Sequence, residues 1–119
     1  MQLYDSNRSA SAYRVRLALS VKGLSYKAIP LSMTKGGGQQ LLAEYRALNP
    51  QGMLPSLVDD DFVLTQSLAI IEYLDETHPT PPLLPTDPRQ RARARQLAQL
   101  IVGDIQSLTN LRVLTYLRS

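Results

Sequence analysis

Three short segments hold residues that can bind a ligand, two of them through anion-binding groups. The first is Arg8-Ser9-Ala10-Ser11-Ala12-Tyr13-Arg14-Val15-Arg16, where a short strand gives way to a helix. A helix start offers unpaired N–H groups and a partial positive charge, which favour a thiolate or a carboxylate, and Ser9 or Ser11 can add a hydroxyl donor. The simpler account of the same residues is that one serine only caps the helix. The second segment, Met53-Leu54-Pro55-Ser56-Leu57, sets a proline at the opening of an apolar run. Proline is tolerated at the first residue of a strand, so a plain strand start accounts for it. A cis Leu54-Pro55 bond is the sharper reading; it would leave the Leu54 N–H and C=O free for a bound peptide, although only about 5–6% of X-Pro bonds are cis. The third is Thr65-Gln66-Ser67 at the start of another helix, where Ser67 and backbone amides can hold a carboxylate or Ser67 can serve as a plain N-cap.

The composition narrows the chemistry. With no cysteine among the 119 residues there is no disulfide, no thiolate metal site and no protein thiol nucleophile, so sulfur chemistry has to come from a ligand; no metal site is expected. The net charge of +3 leaves an anionic partner open. The densest basic stretch, Arg89-Gln90-Arg91-Ala92-Arg93-Ala94-Arg95, spaces its arginines at i, i+2, which on a helix throws them to opposite sides. No aromatic residues interleave with them to stack bases, so a solvated helix is expected and not a nucleic-acid groove. No apolar run approaches the roughly 18 residues of a membrane span, and the first residues lack the layout of a secretory signal. The expectation is a cytoplasmic protein with no membrane or nucleic-acid partner.

The elements that must position these residues follow from periodicity. Gln2 to Tyr4 reads as a strand, Tyr13 to Val21 as a helix closed by Lys22-Gly23, and Ser25 to Leu31 as a second strand with Pro30 hinting at an edge. This βαβ unit makes the two strands parallel. After the glycine-rich Met33 to Gly38, a weakly periodic helix is expected over Gln39 to Leu48. Leu54 to Val58 and Phe62 to Leu64 are separated only by Asp59-Asp60-Asp61, too short for a crossover, so they form an antiparallel hairpin. A helix capped by Ser67 then runs to about His78. The expected organisation is an α/β domain of order βαβ-α-ββα over residues 1–78, a proline-rich linker over 79–88, and an all-helical segment over 89–119. The last segment opens on Asp87-Pro88 and Gln90, with Leu97, Ile101, Leu108 and Leu111 along one face of a single long helix.

Taken in order, the segments resemble the glutathione transferase family. The βαβ-α-ββα order is that of its thioredoxin-like first domain. Asn49-Pro50-Gln51-Gly52-Met53-Leu54-Pro55-Ser56-Leu57, followed by Gln66-Ser67-Leu68-Ala69-Ile70-Ile71-Glu72-Tyr73-Leu74, is similar to its glutathione-site pattern. The segments Arg8-Ser9 with Tyr13 to Leu19, Gly37-Gly38-Gln39-Gln40, and Asp104 to Leu114 resemble the zeta class, the maleylacetoacetate isomerases. The resemblance implies glutathione as cofactor, with Ser9 holding its thiolate, Gln40 and the backbone of Leu54 beside Pro55 binding the tripeptide, Gln66 and Ser67 taking its γ-glutamyl end, and Gln106 and Asn110 closing the site from the helical side. The sequence departs from the family at Ser9-Ala10-Ser11, where a second hydroxyl and a cysteine are usual; catalytic weight therefore falls on Ser9 and less on Ser11.

The implied reaction is glutathione-dependent cis–trans isomerisation of a small dicarboxylic oxo-acid, maleylacetoacetate to fumarylacetoacetate in aromatic amino acid catabolism. The thiolate adds to the activated double bond, the resulting single bond rotates, and elimination gives the trans product. Arg14, with Arg8 and Arg16, can attract the substrate carboxylates by charge and paired hydrogen bonds, or can simply lie on the helix surface. Maleylpyruvate isomerisation or general glutathione transfer is the alternative within the family, and a non-enzymatic glutathione-binding or interaction module is the alternative outside it. Members of the family continue with several more helices, so the helical segment is expected to be the first part of a longer domain or to be covered in a homodimer.

Overall fold

The computed structural model describes residues 1–119, which divide into two compact units, Met1–Leu83 and Leu84–Ser119. The first unit runs β1 (Gln2–Asp5), α1 (Ala10–Val21), β2 (Lys27–Pro30), α2 (Ala43–Leu48), β3 (Ser56–Asp59), β4 (Phe62–Thr65) and α3 (Ser67–Thr77). The four strands form one sheet in the order β2-β1-β3-β4, with β1 parallel to β2 and antiparallel to β3, and β3 antiparallel to β4. This is the expected βαβ-α-ββα domain. Pro30 lies on the edge strand β2, where its missing N–H costs no ladder bond. The hairpin turn is tighter than the three aspartates suggest, because Asp59 pairs with Phe62 and only Asp60 and Asp61 remain outside the ladder, Asp60 at a left-handed φ of 53°.

Alternation along the strands sorts the two faces of the sheet. Leu3 and Leu57 point to one face, where they are fully buried with Val15 and Leu19 of α1 and Ile70 and Leu74 of α3. Tyr4 and Ser56, one residue along, point to the other face, where Tyr4 stacks at a tilt on Tyr45 of α2 with ring centroids 5.5 Å apart. Helices α1 and α3 thus cover one face and α2 the other.

Two expectations about helices are corrected. Gln39–Leu41 forms a separate 3-10 turn, and α2 starts only at Ala43, because Leu42 between them is extended (φ −64°, ψ 147°). In the second unit the anticipated single long helix is broken. Helix α4 (Pro88–Gln99) opens as expected, with Asp87 Oδ1 accepting from the Gln90 N–H at 2.9 Å and Pro88 in its first turn. It widens into π-type turns over Leu100–Ile105, continues as the short α5 (Gln106–Leu108) and stops. A new helix, α6 (Leu111–Arg118), is capped by Asn110, whose Oδ1 accepts from the Arg112 N–H at 3.0 Å. An asparagine that bonds its own backbone two residues on competes with helix continuation, so Leu108 and Leu111 belong to different helices. Leu97, Ile101, Leu108 and Leu111 are nonetheless all exposed.

One buried charge ties the end of α1 to the end of α3. The Lys22 side chain is fully buried, and its Nζ donates to Asp75 Oδ1 at 2.7 Å and to the carbonyls of His78 and Pro81 at 2.6 and 2.9 Å. Asp75 Oδ1 also accepts from the Leu83 N–H at 2.8 Å. Three donors meet three acceptors, the condition under which a buried ammonium is tolerated. Lys22→Ala takes the cation from that carboxylate and the donor from two carbonyls. It should lower the unfolding free energy by about 3–5 kcal/mol in urea titrations, and a loss under about 1 kcal/mol would mean that the ion pair does not hold these helix ends.

Candidate functional site

The connectivity of the sheet gathers the starts of α1, β3 and α3 at one edge. Strand β1 ends at Asp5, and α1 begins beyond it; β4 ends at Thr65, and α3 begins beyond it. Antiparallel β3 begins at that same edge, since Ser56 stands opposite Tyr4 on one side and Thr65 on the other. Strand β2, parallel to β1, also ends there and releases the segment that carries Gln40. Ser9, Ser11, Arg14, Gln40, Leu54, Pro55, Gln66 and Ser67 therefore all sit on elements that start or stop at one edge. Gln106 and Asn110 belong to the second unit, Gln106 at the start of α5 and Asn110 capping α6.

Ser9 is the N-cap of α1. Its Oγ accepts from the Ala12 N–H at 3.1 Å, and the residue is only 8% exposed. The simple capping account is thus met, yet it uses only a lone pair; the hydroxyl proton stays available beside the first amides of the helix. Ser11 lies half-buried in the first turn of α1. Ser67 does not cap α3, contrary to expectation: it is the first helical residue, and the cap position is taken by Gln66, whose side chain makes no capping bond. The Ser67 Oγ instead accepts from Arg14 Nη1 at 3.1 Å, joining α1 to α3. That bond uses a lone pair of Ser67 and again leaves the hydroxyl proton to donate. Burial lowers the Arg14 guanidinium from its ordinary pKa.

Gln66 holds a left-handed φ of 71°. For a residue with a Cβ this costs on the order of 1–3 kcal/mol, and such strain recurs where backbone is held for a ligand. Its Nε2 donates to Gln51 Oε1 at 2.9 Å, so Gln66 also reaches the loop before β3. In that loop the Leu54-Pro55 peptide bond is cis, and Leu54 lies ahead of the ladder, which begins at Ser56. Gln40 is buried, and its Oε1 has no hydrogen-bond partner. The two flanking arginines differ from Arg14. Arg16 is committed to Asp5, with Nη1 at 2.5 and 2.6 Å from the two carboxylate oxygens, and so is not a free anion receptor; Arg8 is exposed.

This edge combines two helix starts, two hydroxyls with unused protons, and backbone ahead of a strand, the groups that a peptide bearing a carboxylate and a thiolate requires. Residues 3–82 match the family model described as "Glutathione S-transferase, N-terminal domain". The chain belongs to the glutathione S-transferase family. It is 50% identical over 119 residues to the maleylacetoacetate isomerase of Pseudomonas aeruginosa, a match covering 99% of this chain and 56% of that protein. Among solved structures, a maleylpyruvate isomerase, a bacterial zeta-class glutathione S-transferase, superposes with a TM-score of 0.95 at 43% identity, covering 100% of this chain and 55% of that one. The maleylacetoacetate isomerase of Methylobacterium extorquens AM1, solved with bound malonate and glutathione, gives 0.92 at 48% identity over 98% of this chain and 54% of its own. The chain spans about half the length of the curated relatives it matches, 52% and 56% of two of them.

A polar network behind the edge escaped the sequence reading. Tyr45 donates its hydroxyl to the Met53 carbonyl at 2.6 Å and lies 2.7 Å from Ser56 Oγ, while Asn49 Nδ2 donates to the same carbonyl at 2.8 Å and to Ser56 Oγ at 3.3 Å. Tyr45, Asn49 and Ser56 are all buried, and together they hold the loop that presents Leu54 and Pro55. The i, i+4 spacing of Tyr45 and Asn49 put both on one helix face, but only β3 packed beneath them makes the face polar. Burial raises the Tyr45 phenol above its ordinary pKa. Above the unfolded-state value of about 10, the unfolded chain ionises at Tyr45 while the fold keeps the phenol neutral, so this group subtracts stability as pH climbs toward its folded value. Tyr45→Phe should cost about 1 kcal/mol at neutral pH and lose less than the parent between pH 9 and about 11. Urea midpoints at both ends of that range check it, and equal alkaline losses in the two proteins would contradict it.

Proposed function

We propose that this chain provides the glutathione site of a zeta-class isomerase that converts a small cis dicarboxylic oxo-acid, of the maleylacetoacetate kind, to its trans isomer. The observation that carries the proposal is the convergence at one sheet edge of the Ser9-capped start of α1 with Ser67 at the start of α3, in a chain 50% identical to a maleylacetoacetate isomerase. The residues suit the tripeptide: Ser67, fixed through its lone pair by Arg14, has a proton for the γ-glutamyl carboxylate, Gln66 lies beside it, and Gln40 and the Leu54 backbone supply polar groups that no strand has taken. Bound glutathione would supply the thiolate nucleophile that a chain without cysteine lacks.

The chain's own residues would act as follows. The first amides of α1 and the Ser9 hydroxyl stabilise negative charge at the sulfur position, and Ser11 stands in the same turn as a secondary donor. Arg14 donates to Ser67 and adds positive charge between the two helix starts. Gln106 and Asn110, in the second unit, keep their assignment to glutathione on the family resemblance alone. Maleylpyruvate as substrate is the second reading, supported by the maleylpyruvate isomerase with the same fold. A cytoplasmic homodimer completes the proposal. No helix is long and apolar enough to cross a membrane, and Leu97, Ile101, Leu108 and Leu111 are exposed apolar side chains of the kind that assembly covers.

The test is turnover of maleylacetoacetate and maleylpyruvate with and without glutathione, read in a protein in which this chain is joined to a complete helical domain. Ser9→Ala should lower turnover by roughly ten- to a hundredfold at neutral pH with glutathione affinity nearly kept. Ser67→Ala should weaken glutathione binding and nearly keep turnover at saturation, because it removes an interaction common to ground and transition states. Unchanged turnover in Ser9→Ala would shift the role to Ser11 or to the helix start alone. No glutathione dependence with either substrate would sink the proposal.

A further inference from the structure

The segment between β2 and α2 is a short closed loop whose two ends are fastened to each other. Gln39 N–H donates to the Ser32 carbonyl at 2.8 Å, and the Ser32 N–H donates back to Gln39 Oε1 at 2.6 Å. Ser32 Oγ then accepts from the Lys35 N–H at 3.0 Å, and the Gly38 N–H reaches the Lys35 carbonyl at 3.0 Å. The next residue after the closure is Gln40, 6% exposed, with Gly38 against its side chain and Gly52 against its main chain. A Cβ on Gly38 would stand 2.5 Å from Gln40 Nε2, 2.8 Å from Oε1 and 3.0 Å from Cδ. A Cβ on Gly52 would stand 3.1 Å from the Gln40 carbonyl oxygen. The Gln40 amide is therefore folded back into space that exists only because residue 38 has no side chain. Its Oε1, buried and without a partner, is the acceptor that a ligand N–H would complete.

We infer that Gly38 is a positioning residue for Gln40: the missing side chain sets where the Gln40 amide stands, and through it how tightly glutathione is held. The inference rests on the assignment of Gln40 to the tripeptide. The atoms in the way belong to the end of a flexible side chain, so a methyl group at position 38 displaces the Gln40 amide before it displaces backbone. Gly37 gives the matched comparison. It too has a left-handed φ, 83° against 109° at Gly38, so alanine is strained at either position, but nothing lies within 4 Å of a Cβ there.

The experiment compares Gly38→Ala, Gly37→Ala, Gln40→Ala and the double variant Gly38→Ala/Gln40→Ala in the full chain, reading glutathione affinity by calorimetry and stability by urea unfolding. Gly38→Ala and Gln40→Ala should each weaken glutathione binding by about tenfold, the size of one lost hydrogen bond, while Gly37→Ala stays within about twofold of the parent. The double variant should bind no worse than Gln40→Ala, and the loss of urea midpoint caused by Gly38→Ala should be smaller in the Gln40→Ala background than in the parent, because there is no amide left to displace. Equal binding losses in Gly38→Ala and Gly37→Ala, or losses at 38 and 40 that simply add, would overturn the proposal. If Gln40→Ala leaves binding untouched, the assignment of Gln40 falls and the positioning role falls with it. The urea comparison separates the two failures, since it reads the collision without any ligand.

Discussion

The register of β3 is the constraint on which the candidate site depends. Ser56 stands opposite Tyr4 and Thr65 at once, so the ends of β1 and β4 are level, and the helices that follow them start side by side. Because side chains alternate with period two, the same register turns Leu57 into the core with Leu3 and turns Ser56 toward Tyr45 and Asn49. A slip of one residue would bury Ser56 among leucines and leave the Leu54-Pro55 loop without its polar support. The apolar core and the polar site are thus two faces of one pairing.

At the edge so formed, several polar groups serve the fold with one part and keep another part unused. Ser9 gives a lone pair to its own helix and Ser67 gives one to Arg14, yet both hydroxyl protons remain. A hydroxyl suits this double service because its donor and acceptor functions are separate. Arg16 stands two residues beyond Arg14 on the same helix and pairs with Asp5, with a longer contact to the Ser6 carbonyl and its guanidinium over the Tyr13 ring. Along α1, then, one arginine reaches the start of α3 and the other closes back on the strand that precedes its own helix.

Much of the fold was legible because its signals are local. The short aspartate link allowed only a hairpin between β3 and β4, Pro30 belonged on an edge, and Asp87-Pro88 opened α4. What stayed hidden depends on contacts or on single backbone angles. Ser67 looked like a cap because its type and position suit one, but the left-handed Gln66 moves the helix start by one residue and turns the serine to Arg14, 53 positions away. Leu42 and Asn110 break helical stretches that apolar spacing alone would continue, one through an extended backbone and the other through a side-chain bond to the Arg112 N–H. The Tyr45–Asn49–Ser56 network could not be read from α2, since its polarity emerges only once β3 lies beneath it.

Stabilisation of a glutathione thiolate by the start of α1 and the Ser9 hydroxyl is tested most directly by spectroscopic titration of the thiol in the protein–glutathione complex. The bound thiol should ionise at least about one unit below the ordinary cysteine value of about 8.5. A bound thiol that titrates at or above that value would contradict the role given to this helix start.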